Sequence, residues 1–432
     1  YQNETEELGE KQLQDTIEKL KQEYRKKDCV ILYFIGLTES YEGEGYDRKN
    51  LKIPQNQEEL LAEIAETVGR DHIAAISFGG APMDFSFEKN VGAILHMYLG
   101  GQAVGESVAD LISGEVNPSG KLAETIPFSE KDTPAWRYFA PPNDDVEYRE
   151  SIFVGYRYYE TFHVPVKYPF GYGLSYTSFS YSELNVPEVY SGGKIQIRFK
   201  IKNIGKVSGA EIAQLYICPI ESDVIRSHIE LKGFQKIYLH PGEEKEVILE
   251  LDERSFSVYD VEKKAFSMLS GKYQICIGAS VHDLQLKANM EVVGNSYFRN
   301  ERELFSDYFR EQPHGMEISA EQFYQLLGGE PKHDKEKKRG EYTVYDSYQD
   351  VVNVSMFGKF VRGVVHIGLK IILRGKSERD PAFKMVKVGV EEGNLEGLIA
   401  TSGGIATPKL IDMLVYNANK KYLQAFKRLL KK

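Results

Sequence analysis

The chain has 432 residues, of which 42% are hydrophobic and 27% are charged, as in an ordinary globular protein. This length suggests two to four domains, and the composition excludes a collagen, a mucin and a largely disordered chain. The formal net charge is −10, but residues 356–432 carry 15 Lys and Arg against 6 Asp and Glu. Residues 1–355 are therefore strongly acidic, which argues against nucleic-acid binding as the main function.

Cysteine and histidine spacing indicates no metal site. Cys29, Cys218 and Cys276 lie far apart in the sequence, and an odd count without a CxxC pair predicts neither a disulfide framework nor a zinc site. The 9 histidines form no HExxH motif and no i, i+4 pair. We expect no metal and no cofactor.

The first third of the chain alternates between helical and strand-like patterns. Residues 10–27 and 57–69 have apolar residues at helical spacing, whereas 30–35 and 73–78 are short apolar runs typical of buried strands. A further strand at 91–97 and a helix at 103–112 continue the alternation. It predicts a parallel sheet covered by helices, with ligand sites beyond the carboxyl ends of the strands. The loops after Gly36 and Phe78 are therefore the places to look for chemistry.

Beyond residue 170 the apolar period changes to two. Alternation at 195–202 and further strand-like runs at 212–218, 245–251 and 272–278 predict a small antiparallel sandwich of immunoglobulin or fibronectin type III-like shape. We divide the chain into an α/β domain, incomplete at its N-terminus, at 1–168, a β-sandwich at 169–293 and an extension at 294–432. The predicted fold class is thus an α/β/α sandwich, a fibronectin type III-like β-sandwich and a helical C-terminal extension.

The extension combines a charged linker with basic helices. Residues 330–342 are typical of a solvated linker, 351–373 form a basic amphipathic stretch, and 408–430 are predicted to form one basic helix. Such a tail can pack onto the acidic body of its own chain or lie on an anionic membrane. We favour packing onto the body, because the body carries the opposite charge and belongs to the same chain, and regard membrane binding as the weaker alternative.

The loop after the first strand is the segment with candidate catalytic groups. It places four acids within residues 39–47, and Gly43 and Gly45 flank Glu44. Glycines free the backbone to project a carboxylate, and the neighbouring charges of Glu42 and Asp47 are expected to raise the pKa of Glu44, as a general acid requires. A solvated acidic loop without catalytic function is the alternative on charge pattern alone.

Several motifs in the same order resemble one enzyme family, glycoside hydrolase family 3, the β-glucosidases. The acid loop at 44–54 resembles that family's acid/base loop. The other matching segments are 99–105 (LGGQAVG), 114–122 (GEVNPSGKL), 154–159 (VGYRYY), 169–177 (PFGYGLSYT), 230–234 (ELKGF) and 241–243 (PGE). Residues 318–345 also resemble the C-terminal extension of some bacterial members.

The resemblance implies a retaining glycosidase acting on terminal β-D-glucosyl residues. By motif position Glu44 is the expected acid/base, with Glu42 as the reserve candidate because a two-residue shift of the loop would exchange them. Asp47 and Arg48 are expected to stiffen the loop, where the Arg48 guanidinium could also hold Asp47 or a hydroxyl-rich ligand. Tyr46 is expected either to line the leaving-group side of the substrate or to pack into the loop.

The chain departs from the family in one respect. The family's nucleophile is an Asp in a Ser-Asp-Trp motif on a TIM-type barrel, whereas the single Trp136 follows Pro134 and Ala135, and no segment resembles that barrel. The first residue is Tyr1 rather than Met, which suggests that something precedes it. We therefore expect an inactive C-terminal half of a β-glucosidase, or alternatively a non-catalytic module that docks a partner through an open sheet.

The expected partners follow from these two hypotheses. They are a β-glucoside or oligosaccharide substrate, and either a barrel-bearing polypeptide or a second copy of the chain. Residues 1–25 are charged rather than signal-like and no apolar run reaches about 18 residues, so the compartment stays unknown, with the cytoplasm favoured.

Overall fold

The computed structural model describes most of the chain. Its described residues are 10–26, 29–38, 41–43, 48, 50–139, 146–294, 300–312, 314–331, 337–372, 380–391, 393–402 and 404–430. Three of the predicted site residues, Glu44, Tyr46 and Asp47, lie outside them.

The first unit is built on a three-stranded parallel sheet. Its strand order is β1-β2-β3, and Ile31 of β1 lies opposite Ile73 of β2. Ile35 and Ile76 are buried because helices cover the sheet, and Leu61, Ile64 and Val68 form the covering stripe of α2. The elements are α1 (Glu10–Lys26), β1 (Ile31–Gly36), α2 (Gln55–Val68), β2 (Ile73–Phe78), β3 (Ala93–His96), α3 (Val104–Ser113), β4 (Ile126–Pro127), α4 (Tyr156–Thr161) and β5 (Val166–Tyr168).

The second unit is a sandwich of two main sheets. Their strand orders are β10-β9-β14-β15-β7 and β11-β8-β6. Alternate residues of β8, namely Ile197, Phe199 and Ile201, point into the core between the sheets. The strands are β6 (Phe179–Asn185), β7 (Val189–Tyr190), β8 (Ile195–Asn203), β9 (Gly209–Pro219), β10 (Glu230–Leu239), β11 (Glu244–Leu251), β12 (Ser257–Asp260), β13 (Ala265–Met268), β14 (Gly271–Gly278) and β15 (Leu284–Val292).

A polar joint connects these two units. Lys121 donates a hydrogen bond to Gly173 O (2.8 Å) and pairs with Glu211 of β9 at 3.0 Å. Asn117 donates to Ser208 O (3.0 Å) and accepts from Tyr176 N (2.8 Å). The segment 114–122 therefore has a structural role between the sheet unit and the sandwich.

The extension has two parts with different cores. Phe305, Tyr308 and Met316 pack with Tyr158 and Phe162 of the first unit. The residues after 337 form a separate helical cluster around Val351, Leu395 and Leu414. The helices are α5 (Glu301–Leu304), α6 (Ala320–Leu327), α7 (Tyr348–Asn353), α8 (Met356–Ile372), α9 (Pro381–Glu391), α10 (Leu395–Thr401), α11 (Pro408–Ala418) and α12 (Tyr422–Leu430).

The single helix predicted over 408–430 is wrong, because the segment forms the two helices α11 and α12. The chain turns at Asn419, whose side chain accepts hydrogen bonds from Gly340 N and Tyr342 N, both at 2.9 Å, and donates to Tyr342 O. Lys420 follows with a positive φ of 59°, which ends the helix. Apolar periodicity could not reveal this long-range role of an asparagine.

None of the helices in the described parts of the chain is long and apolar enough to cross a membrane.

Candidate active site

The acid loop and the loop after β2 meet at the carboxyl end of the parallel sheet. Leu37 N donates to Phe78 O (3.2 Å), which continues the β1–β2 pairing past the last strand residues. The acid loop then turns tightly, since Tyr41 N and Glu42 N both donate to Thr38 O, at 2.8 and 2.9 Å. Parallel-sheet proteins typically bind ligands at this edge, so the sequence-based placement of the chemistry agrees with the topology.

Two side chains attach the acid loop to the neighbouring loop. The Glu42 carboxylate accepts a hydrogen bond from Ala81 N, and the Arg48 guanidinium donates to Pro82 O. These contacts lie on either side of Glu44 in sequence and reach consecutive residues of one loop. They join Glu42 and Arg48 to the loop after β2.

The Arg48 side chain is partly buried, which affects the pKa of its guanidinium group. Burial lowers the pKa of its guanidinium below the usual value, while the nearby carboxylates of Glu42 and Asp84 act in the opposite direction. The contact with Pro82 joins Arg48 to the neighbouring loop. That Arg48 stiffens the acid loop stays a prediction. Its second suggested partner, Asp47, lies outside the described residues.

Gln57, within the α2 segment that follows the acid loop, binds the end of β1. Its side-chain oxygen accepts from Gly36 N and its amide donates to Gly36 O, both at 3.1 Å. Tyr33 OH donates to the backbone oxygen of Gln57 (2.9 Å). The side chain thus replaces a neighbouring strand at this point of the β1 edge, and it fixes where the acid loop leaves the sheet.

A partly buried polar cluster beneath the β2 loop was missed by sequence reasoning. Ser77 Oγ lies 2.9 Å from His96 Nδ1, and the His96 ring packs 4.0 Å from the Tyr98 ring between centroids. Burial lowers the pKa of His96 to about 4, and burial raises the pKa of Glu124, whose carboxyl group interacts with the Tyr98 hydroxyl. His96 is therefore neutral near pH 7.

The cluster positions the loop that holds Glu42. Tyr98 O accepts a hydrogen bond from Gly79 N (3.2 Å), at the start of the β2 loop. Phe85 at the other end of that loop packs edge-on against His96, with 5.2 Å between the ring centroids. Phe85 and Tyr98 both have φ of 50°, a conformation that costs about 1–3 kcal/mol per residue and concentrates near functional sites. Polar residues inside the strand segment 73–98 were the available signal for this cluster.

No group of three or more His, Cys, Asp or Glu in the described part of the chain is arranged to hold a metal ion.

Comparison with known proteins identifies the first two units. Residues 2–176 match the model of the glycosyl hydrolase family 3 C-terminal domain, and residues 211–281 match the fibronectin type III-like domain. The chain carries the C-terminal domain of glycosyl hydrolase family 3. The family predicted from the motifs is confirmed, as is the predicted fold class.

The similar curated proteins are glycosidases of greater length. The chain is 44% identical over 265 residues to thermostable beta-glucosidase B of Acetivibrio thermocellus, covering 61% of this chain and 35% of that protein. It is 37% identical over 273 residues to an exo-alpha-(1->6)-L-arabinopyranosidase of Bifidobacterium breve, covering 63% and 36%. The chain thus spans about a third of the length of the curated relatives it matches.

Solved structures show the same architecture. A Bifidobacterium adolescentis GH3 beta-glucosidase superposes with a TM-score of 0.61 at 35% identity, over 65% of this chain and 42% of that one. The beta-glucosidase from Kluyveromyces marxianus in complex with glucose gives a TM-score of 0.60 at 34% identity, over 65% and 34%. The described residues form no catalytic barrel.

Proposed function

We propose that this chain is the acid/base-supplying part of a retaining β-glycosidase that hydrolyses terminal β-D-glucosyl residues. The observation that carries the proposal is the match to the family 3 C-terminal domain, in which Glu42 and Arg48, on either side of Glu44 in sequence, both bind the loop after β2. Similarity to beta-glucosidases supports the glucosyl specificity. One relative is an arabinopyranosidase, so related chains differ in the sugar on which the enzyme acts.

Glu44 is the acid/base in this proposal. The Glu42 carboxylate already accepts a hydrogen bond from Ala81 N, so its role is to fix the loop, and Glu44 lies two residues further along. Glu44 protonates the departing glycosidic oxygen and then removes a proton from the attacking water. In this proposal Tyr46 lines the leaving-group side of the substrate, and Asp47 stiffens the loop.

The chain alone is proposed to be inactive. A retaining glycosidase needs a second, nucleophilic carboxylate about 5 to 5.5 Å from the acid/base. The single tryptophan, Trp136, is not part of a Ser-Asp-Trp motif, and the part of the chain that the structure describes forms no barrel to hold such an aspartate. The nucleophile would come from a barrel-bearing polypeptide.

The roles of Glu44 and Glu42 can be separated in a chimera with the barrel of the Acetivibrio relative. We expect Glu44→Gln to lower kcat/KM about 10²- to 10⁴-fold on 4-nitrophenyl β-glucoside, and far less on the 2,4-dinitrophenyl glycoside, whose leaving group needs no protonation in the first step. Glu42→Gln is the matched control, with equal losses on both substrates because it only loosens the loop. Leaving-group dependence in Glu42→Gln and not in Glu44→Gln would reverse the assignment.

A docking module is the second candidate function. Leu32 and Phe34 of β1 and Ile112 of α3 are exposed apolar side chains that line a depression of about 460 Å³. In the described sheet β1 is an edge strand, and Gln57 satisfies its backbone only at Gly36. Light scattering during size exclusion tests this function. A docking module would give a dimer or a complex that Phe34→Ser disrupts, whereas a monomer without sugar or protein partners argues against it.

A further inference from the structure

The helical tail, residues 337–430, has an apolar surface that its own core does not use. The core of this tail is formed by α7, α8, α10 and α11, and Val361 is the α8 residue most deeply buried in it. Gly358 brings α8 close to α7, since a Cβ there would lie 2.4 Å from Val352 O. One side of α8 is therefore fully occupied by packing within the tail.

A different side of α8 carries an exposed apolar stripe. Its side chains are 54% to 90% exposed, and with about 100° between successive residues they fall within a sector of about 80°. The stripe consists of Met356, Phe360, Val364, Ile367 and Ile371. Five large apolar residues on one exposed sector are far more than the scattered surface residues of ordinary proteins.

Basic residues border this stripe, and α8 contains no acidic residue. Lys359 and Lys370 lie about 60° and about 40° from the edge of the stripe at about 100° per residue, and their charge is opposite in sign to that of the acidic body of the chain. Helix α12 repeats the pattern, with Leu423, Phe426 and Leu430 exposed and no Asp or Glu in the helix.

The partners of the other cations show which charges are available. Arg362 lies about 120° from the edge of the stripe and donates to Asn353 Oδ1 (2.8 Å). Arg428 of α12 pairs with Asp412 of α11 at 2.7 Å. Residues 356–432 carry nine more basic than acidic residues, so this part of the sequence has a net positive charge.

We propose that α8 and α12 bind the surface of an anionic phospholipid bilayer, with their apolar stripes in the headgroup region and their basic residues at the lipid phosphates. An exposed apolar sector beside lysines and arginines, on a helix that does not cross the bilayer, is typical of interfacial helices. Positive charge on both helices disfavours their pairing with the same helices of a second copy and matches an anionic surface. The sequence favours packing of the tail on the acidic body, whereas the exposure of the stripe favours the bilayer.

Vesicle co-sedimentation of the full chain tests this proposal. We expect binding to vesicles of phosphatidylcholine with 30% phosphatidylglycerol, none to pure phosphatidylcholine, and weaker binding at 0.5 M NaCl. The double variant Phe360→Ser/Ile367→Ser should lower the partition coefficient at least tenfold. Lys359→Gln/Lys370→Gln should also lower it at least tenfold, because each lysine near an anionic surface contributes about a fivefold factor.

Matched controls distinguish this surface from general stickiness and general charge. Phe234→Ser removes an exposed aromatic residue of the sandwich, and Lys206→Gln/Lys236→Gln removes the same charge from exposed sandwich positions. Both controls should bind vesicles as the unsubstituted chain does, and circular dichroism should show that every variant is folded. No binding to the anionic vesicles, equal loss in the controls, or a dimer in solution that Phe360→Ser/Ile367→Ser dissociates would overturn the proposal.

Discussion

At the scale of single residues, the site depends on side chains that bind backbone rather than substrate. Glu42, Arg48 and Gln57 each contact main-chain atoms of β1 or of the β2 loop. The sequence places these residue types in the right loop, but an acidic side chain that holds a loop and one that donates a proton leave the same sequence signal. The contact of Glu42 with Ala81 N supports a loop-holding function for Glu42, whereas Glu44 lies outside the described residues.

His96 should make stability depend on pH. Its pKa is lowered from 6.5 to about 4 by burial, so the unfolded chain binds a proton more readily than the folded chain below pH 6.5. The contribution of neutral His96 to stability is thus complete above pH 6.5 and is lost as the pH falls towards 4. We expect the urea midpoint to fall less between pH 7 and pH 5 in His96→Gln than in the unsubstituted chain.

If His96→Gln and the unsubstituted chain lost stability equally between pH 7 and pH 5, the neutral state of His96 in the folded chain would be contradicted.

At the scale of elements, the joint between the sheet unit and the sandwich depends on one nearly buried ion pair. The side chains of Lys121 and Glu211 are 12% and 8% exposed. Removing one partner of such a pair leaves an uncompensated charge, so Lys121→Met should lower the free energy of unfolding by about 3 kcal/mol. Urea denaturation followed by fluorescence measures this change.

An exposed ion pair of the same chemistry provides the comparison. Lys194 and Glu250 lie 2.6 Å apart, with side chains 73% and 49% exposed. Lys194→Met should barely change the free energy of unfolding, because solvent screens the pair. Equal effects of Lys121→Met and Lys194→Met would show that the joint does not depend on the buried pair.

The elements also show where sequence reasoning works and where it stops. Three strands were predicted, namely Ile31–Gly36, Ile73–Phe78 and Ile195–Asn203. Burial of both faces of a strand produces a continuous apolar run, and burial of one face produces alternation of apolar and polar residues. The turn at Asn419 and the contact of Gln57 with Gly36 were not predicted, since both depend on hydrogen bonds to distant backbone. Glu42 could be predicted as a candidate and not as a loop anchor.

At the scale of the whole molecule, the chain consists of separate cores that make different contributions. The core cluster of the sandwich lies within Tyr190–Val292, and that of the helical tail lies within Tyr348–Ala418. Residues of the α5–α6 segment complete the core of the first unit instead, through Phe305, Tyr308 and Met316. The extension is thus divided between support of the first unit and a separate tail.

Deleting the tail should leave the rest folded. We expect a chain ending at residue 331 to keep the cooperative thermal transition of the first unit and the sandwich, because every buried member of the tail cluster lies at or beyond Tyr348. Differential scanning calorimetry of the shortened and full chains measures this. Loss of the cooperative transition in the shortened chain would show that the tail stabilises the other units.

The proposal that this chain supplies Glu44 to a nucleophile-bearing barrel is tested by hydrolysis of 4-nitrophenyl β-D-glucopyranoside. The reaction is measured for the isolated chain, for a separate family 3 barrel polypeptide and for the two mixed. We expect no turnover by either part alone, and turnover in the mixture that Glu44→Gln lowers about 10²- to 10⁴-fold. Turnover by the isolated chain that Glu44→Gln abolishes would rule out the proposed function, as would a mixture whose activity is unchanged by that substitution.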